Sequence, residues 1–473
     1  MRMDSDTFLS KMIDKTDLVL MIVVDGGRGD FIDAFDTPNF HSLIQQGVRF
    51  RNAVACQAFV ETASGMATIS TGSYIRTHGV MASHEWYSIK ERRTVYSVDE
   101  YGRANNLLAF TFGDLLKTKH PNVKLASVSS KDRNAILLAG HSADLIVYSY
   151  REFPDAFSFK GAGVLTDHYT FAERKMKPLP RYLQGYQLPR FVEWSGESFS
   201  HSQIEAAQTP LMDRFITDAA LEVLKKEKPD ILCVGLVSPN IVGHYYPSDS
   251  GEMEDTIRTV DAQIGRMLSQ LEKMGILERT LIVVTSDHGM TRLKGVVRFP
   301  SLLRGELTER LSKEVAHILL GSTVGVYLRS QNPREMNIVL DAVKSIDHLA
   351  GAWLKDDPDA PWFIRRVACP HAPQIIDVAE YGYTFLEEFD SNLYGYHGAP
   401  YPSDASIMLI LKGPNIRPLG NVGEPLDLNS SELMSENQIS TLPQQVDIAP
   451  TIEHLFELTS SHRDGSSLFR FLK

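Results

Sequence analysis

Two carboxylates, three histidines and a threonine occur in this chain in settings suited to catalysis. Asp25 ends one apolar run, and Asp287-His288 ends another. Thr62 stands just before a helix-like stretch. This position predicts a hydroxyl at a helix N-terminus, where free backbone N–H groups and the helix dipole favour anions. His244 and His397 each lie beside a glycine, in segments that we interpret as loops.

This mixture of side chains indicates a transition-metal site. Carboxylates combined with imidazoles suit Zn²⁺, Mn²⁺ or Fe²⁺ better than Ca²⁺ or Mg²⁺. A threonine alcohol is a poor nucleophile at neutral pH unless a metal or a base lowers its pKa. Two neighbouring divalent ions would activate the attacking oxygen and stabilise the leaving one. Taken singly, each residue is better explained as a cap, a turn or a surface group. Their order along the chain and their settings, taken together, favour a catalytic metal site.

The elements that must position these residues alternate along the chain. Apolar runs predict strands at 18–24, 48–55, 123–129, 144–150, 230–237, 280–285 and 405–411. Capping and periodicity predict helices opening at 37–39 and over 133–139, 252–274 and 445–458. This alternation predicts an α/β fold with a doubly wound, mostly parallel sheet. Ligands of such sheets bind beyond the carboxyl ends of the strands, which is where the candidate residues fall.

Two stretches interrupt the alternation. Residues of about 151–205 are rich in aromatic, proline and basic residues, and we interpret them as a lid-like insertion. Residues 295–385 hold a predicted helix at 333–349 among apolar strands, which indicates a smaller α+β cap. The predicted organisation is therefore a metal-hydrolase core of 1–294 and 386–473, with the cap inserted at 295–385.

Composition limits the partners. The 473 residues carry a net charge of -11, which argues against binding a nucleic-acid polymer or an anionic membrane. The three cysteines, Cys56, Cys233 and Cys369, are widely spaced and predict no disulfide scaffold. The first sixteen residues look like a short polar helix without the apolar core of a signal peptide, so we expect a cytoplasmic protein. Whether it forms a homo-oligomer stays open.

Short motifs that run in order along most of the chain carry a resemblance to a known family. They are VVDG at 23–26, TPNF at 37–40, GVRF at 47–50, the segment 62–72, THG at 77–79, TSDHGM at 285–290, YHG at 396–398, QVDIAPT at 445–451 and DGSSL at 464–468. This ordered set resembles the alkaline phosphatase superfamily, and within it the nucleotide pyrophosphatase/phosphodiesterase and phosphonoacetate hydrolase branch. The segments 151–205 and 295–385 carry no match.

The resemblance implies a site with two divalent metals, zinc first among them. One metal would be held by Asp25, Thr62, Asp287 and His288, and the other by residue 240, His244 and His397. Thr62 would attack phosphorus and form a covalent phospho-threonine that water then hydrolyses. The resemblance also implies the doubly wound fold, and it gives His78 a structural role outside the site.

One ligand position departs from the family pattern Asp-x-x-Gly-His. The chain has Asn240 there, followed by Gly243-His244. An amide offers a carbonyl oxygen without negative charge, so we expect weaker cation binding at this position. Three interpretations are open. Asn240 is a natural ligand that tunes metal choice or occupancy, or it marks a working site with one tight and one loose metal. In the third interpretation, the chain is an altered enzyme with little turnover.

Three residues are candidates for contact with a small phosphorylated or phosphonate substrate. Lys131 and Arg133 follow a predicted strand and resemble the Lys-Asp-Lys segment with which phosphonoacetate hydrolases hold a carboxylate. Arg133 suits two-pronged binding of a carboxylate or phosphate, although a solvated first helical turn explains both residues as well. Glu61 would repel a dianionic monoester or accept a hydrogen bond from a ribose-like or amine group.

Three functions are therefore open. The first is hydrolysis of phosphodiesters that are nucleotide-like or small, and the second is cleavage of a phosphonate C–P bond. The third is a catalytically silent protein that binds a metal or ligand, which the Asn240 substitution motivates. Sulfate esters are disfavoured, because the Cys/Ser-x-Pro-x-Arg element of sulfatases is missing around Thr62.

Overall fold

A ten-stranded mixed sheet forms the centre of the protein. The computed structural model describes residues 16–55, 57–98, 103–150, 167–170, 175–178, 191–195, 200–205, 209–388, 392–458 and 463–472. From one edge to the other, the strands are Gly420–Val422, Val48–Phe50, Leu409–Lys412, Thr280–Thr285, Leu18–Val24, Ile231–Leu236, Leu125–Lys131, Leu145–Tyr150, Asp167–Thr170 and Lys175–Pro178. The last two strands extend the eight-stranded α/β sheet as antiparallel neighbours.

The middle of the sheet is parallel and buried on both faces. Leu18–Val24 lies between Ile231–Leu236 and Thr280–Thr285, with parallel register to both. All seven of its side chains are buried. They alternate between two hydrophobic clusters, one on each face of the sheet. An unbroken apolar run is what such a doubly covered strand requires.

Helices cover both faces of this sheet. In chain order they are Phe31–Ala34, Pro38–Gln46, Thr62–Thr71, Ile75–His78, Phe112–Lys119, Asp132–Ala139, Leu211–Glu227, Ser238–Tyr245, Gly251–Lys273, Pro402–Ala405, Glu436–Ser440 and Ile448–Leu455, with 3₁₀ turns at Leu277–Arg279, Gln445–Asp447 and Leu468–Phe471. The longest, Gly251–Lys273, is capped by Ser250, whose side chain accepts a hydrogen bond from the backbone N–H of Met253. Its apolar stripe packs into one of the two clusters.

A second, four-stranded antiparallel sheet lies between residues 315 and 379. Its strands in order are Val315–Leu319, Thr323–Leu328, Ile375–Ala379 and Leu349–Leu354. The helices Phe299–Glu306, Glu309–Glu314, Pro333–Lys344 and Trp362–Arg365 occur in the same part of the chain. A third hydrophobic cluster, separate from those of the central sheet, forms the core here.

Four two-stranded ribbons complete the described structure. They are Glu85–Ser88 with Arg93–Tyr96, Phe191–Ser195 with Ser200–Glu205, Thr291–Arg292 with Gly395–Tyr396, and Gly295–Arg298 with Tyr383–Leu386. Within the part of the chain that the structure describes, no helix combines the length and the apolar character needed to cross a membrane.

The predicted α/β fold class is confirmed, whereas several element bounds are wrong. The strand predicted at 48–55 ends at Phe50, and the one predicted at 405–411 begins at Leu409, after a short helix. The helix predicted at 333–349 ends at Lys344. His348 then adopts a φ of 64°, which turns the chain into the strand Leu349–Leu354.

Two predictions concern segments that lie largely or wholly outside the described residues. The N-terminal helix lies outside the described residues, as does most of the lid-like insertion at 151–205. The division into core and cap stays a prediction.

Candidate functional site

Four neighbouring strands deliver the candidate residues to one edge of the central sheet. Asp25 follows Leu18–Val24, and Asp287 with His288 follows Thr280–Thr285. Lys131 is the last residue of Leu125–Lys131, and the helix Ser238–Tyr245 begins just beyond Ile231–Leu236. Because these strands are parallel, their carboxyl ends meet at the same edge. The topology therefore brings together residues that are far apart in sequence.

Asp25, Asp287 and His288 form a buried cluster that can hold a metal ion. One ligand atom from each lies within 4.8 Å of the other two. The Nε2 atom of His288 is 3.6 Å from Asp25 Oδ1 and 3.5 Å from Asp287 Oδ2. Asp287 Oδ2 is buried and accepts no hydrogen bond from the described residues. Two carboxylates and an imidazole converging on one point are a donor set for a divalent transition metal.

Thr62 lies against this cluster, as the first residue of the helix Thr62–Thr71. Its Oγ1 atom is 3.5 Å from Asp25 Oδ1 and 3.4 Å from His288 Nε2. Glu61, the residue before the helix, makes no side-chain capping bond, so the first backbone N–H groups are not capped by its carboxylate. The predicted position of Thr62 at a helix N-terminus is confirmed. The arrangement brings the Thr62 hydroxyl and the start of a helix, a place that favours anions, next to the cluster.

The two carboxylates have contrasting environments. Asp25 Oδ2 accepts hydrogen bonds from Lys131 Nζ at 2.8 Å and from Asn134 Nδ2 at 3.1 Å, which leaves Oδ1 facing the cluster. Burial, the largest single influence, raises the pKa of Asp25, but the charges of Lys131 and His288 and the hydrogen bonds from Lys131 and Asn134 together lower it overall. Burial, and then the charge of Asp25, raise the pKa of Asp287 well above its usual range.

All three histidines have Nδ1 close to a backbone carbonyl oxygen. The Nδ1 atoms of His244, His288 and His397 lie 3.0, 2.8 and 3.0 Å from the backbone carbonyl oxygens of Gly395, Gly289 and Val60. A carbonyl can only accept, so each Nδ1 carries the proton and each Nε2 keeps its lone pair. Burial lowers the pKa of His288 to about 4, and burial followed by the neighbouring histidines lowers that of His397.

The three imidazoles lie in one group. The rings of His288 and His397 stack with centroids 3.6 Å apart, and those of His244 and His397 are 5.3 Å apart. The predicted loop at His244 is wrong, because this residue lies in the helix Ser238–Tyr245. Asn240 precedes it by one turn, so both side chains share one face of the helix. The structure thus groups Asn240, His244 and His397 beside the aspartate cluster.

Close backbone packing fixes this helix and the helix Thr62–Thr71. A Cβ atom on Gly26 would lie 2.7 Å from Asn240 Cα, and one on Gly65 would lie 2.8 Å from Asp287 Cβ. Only glycine permits such approaches. The strand ends that carry Asp25 and Asp287 are therefore pressed directly against the two helices that carry the other candidate residues.

The predicted substrate residues are near the site but differ in their contacts. Lys131 is buried, and its ammonium group binds Asp25. Arg133 is buried in the following helix, and its charge lowers the pKa of Glu61, although burial raises that pKa overall. Glu61 Oε2 accepts a hydrogen bond of 3.0 Å from the backbone N–H of Ser83. Contact of these three residues with a substrate stays a prediction.

Two residues that support the site were not predicted. Asn134 binds Asp25, as described above, and the side-chain amide of Gln445 donates to the carbonyl oxygens of Ser286 and Asp287 at 3.0 and 2.8 Å. Asn134 lies three residues after Lys131 in a helix with no exposed side chain, and a polar residue at that spacing is a usable signal. His78 is buried away from the cluster, and its ring forms hydrogen bonds with the Thr68 hydroxyl and the backbone N–H of Val80. These contacts agree with a structural role.

Comparison with known proteins identifies the family. The sequence profile of the family described as type I phosphodiesterase/nucleotide pyrophosphatase matches residues 19–400. The chain belongs to this family. The match includes every candidate site residue, from Asp25 to His397.

The similar proteins described next are named as alkaline phosphatases or as a nucleotide pyrophosphatase/phosphodiesterase. The chain is 24% identical over 432 residues to the alkaline phosphatase PafA of Elizabethkingia meningoseptica, covering 80% of this chain and 74% of PafA. It is 21% identical over 450 residues to human ectonucleotide pyrophosphatase/phosphodiesterase family member 5, covering 95% of this chain and 76% of that protein. The alkaline phosphatases PhoD, PhoK and PhoV are matched over only 63%, 55% and 60% of their own lengths.

Solved structures share the fold. The crystal structure of wild-type PafA aligns with a TM-score of 0.77 at 18% identity, covering 97% of this chain and 99% of that one. Murine ectonucleotide pyrophosphatase/phosphodiesterase 5 aligns with a TM-score of 0.64 at 18% identity, covering 95% and 97% of the two chains. The alkaline-phosphatase-like α/β architecture of this protein is therefore established.

Proposed function

We propose that this protein is a metal-dependent hydrolase of phosphodiesters, nucleotide-like or small, that works through a covalent phospho-threonine on Thr62. The observation that carries the proposal is the position of the Thr62 hydroxyl. It lies within 3.5 Å of both Asp25 Oδ1 and His288 Nε2, at the start of a helix. A threonine that served only as a helix cap would not need two buried metal-type ligands beside it.

The residues fit two divalent transition metals, with zinc as the proposed ion. Asp25, Thr62, Asp287 and His288 would hold one, and Asn240, His244 and His397 the other. Buried oxygen atoms without a hydrogen-bond donor among the described residues, Asp287 Oδ2 and Asn240 Oδ1, support this assignment. The chemistry that bound divalent ions supply at such a site is acidification of the nucleophilic alcohol and neutralisation of phosphoryl oxygens.

The reaction proceeds in two displacements. A bond forms between Thr62 Oγ and phosphorus as the bond from phosphorus to the leaving oxygen breaks. The hydroxyl gives up its proton, and the departing alcohol takes one up. The start of the helix Thr62–Thr71 favours the phosphoryl oxygens through its dipole and its N-terminal N–H groups, of which that of Ala63 also donates to Ser83 Oγ at 3.3 Å. Water then attacks phosphorus and displaces Thr62, which releases a phosphomonoester and restores the hydroxyl.

Two features favour a diester over a monoester or a phosphonate. Glu61 directly precedes Thr62, and its carboxylate, held by the backbone N–H of Ser83, opposes the extra charge of a dianionic monoester when it is ionised. Lys131 already binds Asp25, so the carboxylate of a phosphonate substrate would have to compete for its ammonium group. One solved form of murine ectonucleotide pyrophosphatase/phosphodiesterase 5 is an inactive threonine-to-alanine variant in complex with AMP. By analogy, a nucleotide-like diester is the first substrate to test.

The test compares turnover of bis-p-nitrophenyl phosphate, p-nitrophenyl phosphate and phosphonoacetate by the zinc-loaded protein. We expect the diester to be the best substrate, and Thr62→Ala to lower its turnover by at least about 10³-fold. Acid quenching during turnover of bis-p-nitrophenyl phosphate should trap one p-nitrophenyl phosphoryl group on Thr62, detected by mass spectrometry. Thr71→Ala is the matched control, because the Thr71 hydroxyl donates to the Ala67 carbonyl within the same helix.

Other outcomes point to other functions. Faster phosphate release from phosphonoacetate than from the diester would replace the proposal with C–P bond cleavage. Turnover that survives Thr62→Ala would exclude the phospho-threonine. No turnover of any of the three compounds by zinc-loaded, folded protein would favour a protein that only binds its ligand.

A further inference from the structure

The two groups of metal-type ligands differ in charge. The first, which we call the anionic half-site, consists of Asp25, Thr62, Asp287 and His288. The second, the neutral half-site, consists of Asn240, His244 and His397. The stacked rings of His288 and His397, 3.6 Å apart, join the two. All seven side chains are buried. Solvent therefore screens the difference in charge between the two half-sites only weakly, because buried charges are poorly screened.

The neutral half-site has three well-defined donors. His244 and His397 each use Nδ1–H on a backbone carbonyl, so Nε2 is the atom that each would offer to a cation. Asn240 Oδ1 is buried and accepts no hydrogen bond from the described residues. All three donors are uncharged. A cation held by these three residues would receive no negative charge from them.

Asn240 is held where it is by the backbone. Its Cα would lie 2.7 Å from a Cβ on Gly26, the residue after Asp25. The helix that carries Asn240 and His244 is fixed at its start by Asp213, whose Oδ1 accepts a 2.7 Å hydrogen bond from the N–H of Val237. A rigid neighbourhood of this kind prevents a more distant carboxylate from being drawn in to replace the missing charge.

The anionic half-site supplies two carboxylates. Lys131 and Asn134 occupy Asp25 Oδ2, but Asp25 Oδ1 and Asp287 Oδ2 both face His288 Nε2. Metal affinity rises with the number of charged ligands, because the ligands must offset the cost of removing the ion from water. The two half-sites should therefore differ strongly in affinity, even though each offers at least three donors.

We infer that the protein binds one divalent ion tightly in the anionic half-site, and a second ion in the neutral half-site only weakly until a phosphoryl anion supplies the missing negative charge. This inference rests on the proposed function and specifies the occupancy of the same site. By linkage, the second ion and the anion must strengthen each other's binding by the same factor. The substrate's phosphoryl group thereby completes the metal site.

The test measures Co²⁺ binding by equilibrium dialysis and elemental analysis, with and without methylphosphonate, an unreactive phosphoryl anion. Without it, we expect one tight ion and a second at least about tenfold weaker. With it, the second ion should tighten at least about tenfold. Asn240→Asp should tighten the second ion similarly and remove most of the response to methylphosphonate. The control is Asn337→Asp, which adds the same charge at an exposed residue of the helix Pro333–Lys344.

Two outcomes overturn the inference. One is two ions of equal affinity in the unmodified protein without methylphosphonate. The other is a folded Asn240→Asp variant whose second ion binds no more tightly. If that variant does not fold, the comparison with and without methylphosphonate still decides, because it uses the unmodified protein. Thr62-dependent turnover is measured separately, so a two-ion enzyme with equal sites would contradict this inference and leave the proposed function standing.

Discussion

Replacing Lys131 by methionine should destabilise the metal-free protein far more than the metal-loaded one. The ammonium group lies 2.8 Å from Asp25 Oδ2, and both side chains are almost fully buried, with 5% and 0% of their area exposed. Removing one partner of such a pair leaves an uncompensated charge and costs about 3 to 5 kcal/mol.

A bound divalent ion changes this cost. It provides positive charge on the other side of Asp25, so the variant should then lose only about 1 to 2 kcal/mol, mainly from the unmet hydrogen bond at Oδ2. The two losses differ by about 2 to 3 kcal/mol. By the thermodynamic cycle, Lys131→Met should bind its first divalent ion about 30- to 150-fold more tightly than the unmodified protein.

Urea unfolding at pH 8, with a chelator and then with excess Co²⁺, gives the two stability losses. Calorimetric Co²⁺ titration gives the affinity change independently, so the cycle can be checked for closure. Lys412→Met is the matched control, because Lys412 is equally buried but bonds Leu277 and Glu278, away from the site. Equal losses for Lys131→Met in both conditions, with unchanged Co²⁺ affinity, would refute the coupling between Lys131 and the metal.

Two further predictions concern packing and protonation. Gly65→Ala should cost about 1 to 3 kcal/mol in urea unfolding, because its Cβ would press on Asp287 at 2.8 Å, whereas Gly305→Ala, with nothing within 4 Å, should be neutral or stabilising. Equal changes in unfolding free energy for the two variants would show that the helix Thr62–Thr71 can move away from Asp287. Burial lowers the pKa of His78 to about 3, so this residue contributes stability above pH 6.5 that is lost as pH falls towards 3. Near pH 5, His78→Gln should therefore reduce the slope of unfolding free energy against pH by about 1.4 kcal/mol per unit in metal-free protein, and an unchanged slope would contradict the buried neutral imidazole.

Much of the fold follows from local patterns in the sequence. The apolar runs that end at Asp25 and Asp287 mark parallel strands covered on both faces, and the rule for ligands at strand ends then locates the site. Thr37-Pro38 and Gly47 correctly bound the helix Pro38–Gln46. These features are predictable because each depends on the preferences of adjacent residues rather than on distant contacts.

Other features depend on contacts that the sequence does not display. The segment around His244 contains Pro239 and Gly243, which favour a loop, yet it is helical. Gly243 packs under Met290, since a Cβ there would lie 3.1 Å from the Met290 Cε atom, and tertiary packing outweighs the low helix propensity of glycine. The Lys131–Asp25 ion pair could not be predicted from the sequence either. A third strand, Ile231–Leu236, lies between the strands that carry these two residues.

Asp287 is the strongest argument that the cluster exists to bind a cation. Its Oδ1 is fixed by the backbone N–H of Gly26 at 3.0 Å, while its Oδ2 is buried without a donor among the described residues. Leaving a buried carboxylate oxygen unsatisfied costs at least about 1 to 3 kcal/mol, which an asparagine or a small rotation would relieve. Rotation is prevented by the Gly26 hydrogen bond, and backbone movement is resisted by Gln445 on the Asp287 carbonyl and by the close approach of Gly65. This fixed oxygen is satisfied either by a proton, which the raised pKa of Asp287 favours in the metal-free protein, or by a cation at Oδ2. The neighbouring His288 Nε2 and the Thr62 hydroxyl favour a metal ion as that cation, in keeping with the proposed phosphoryl transfer.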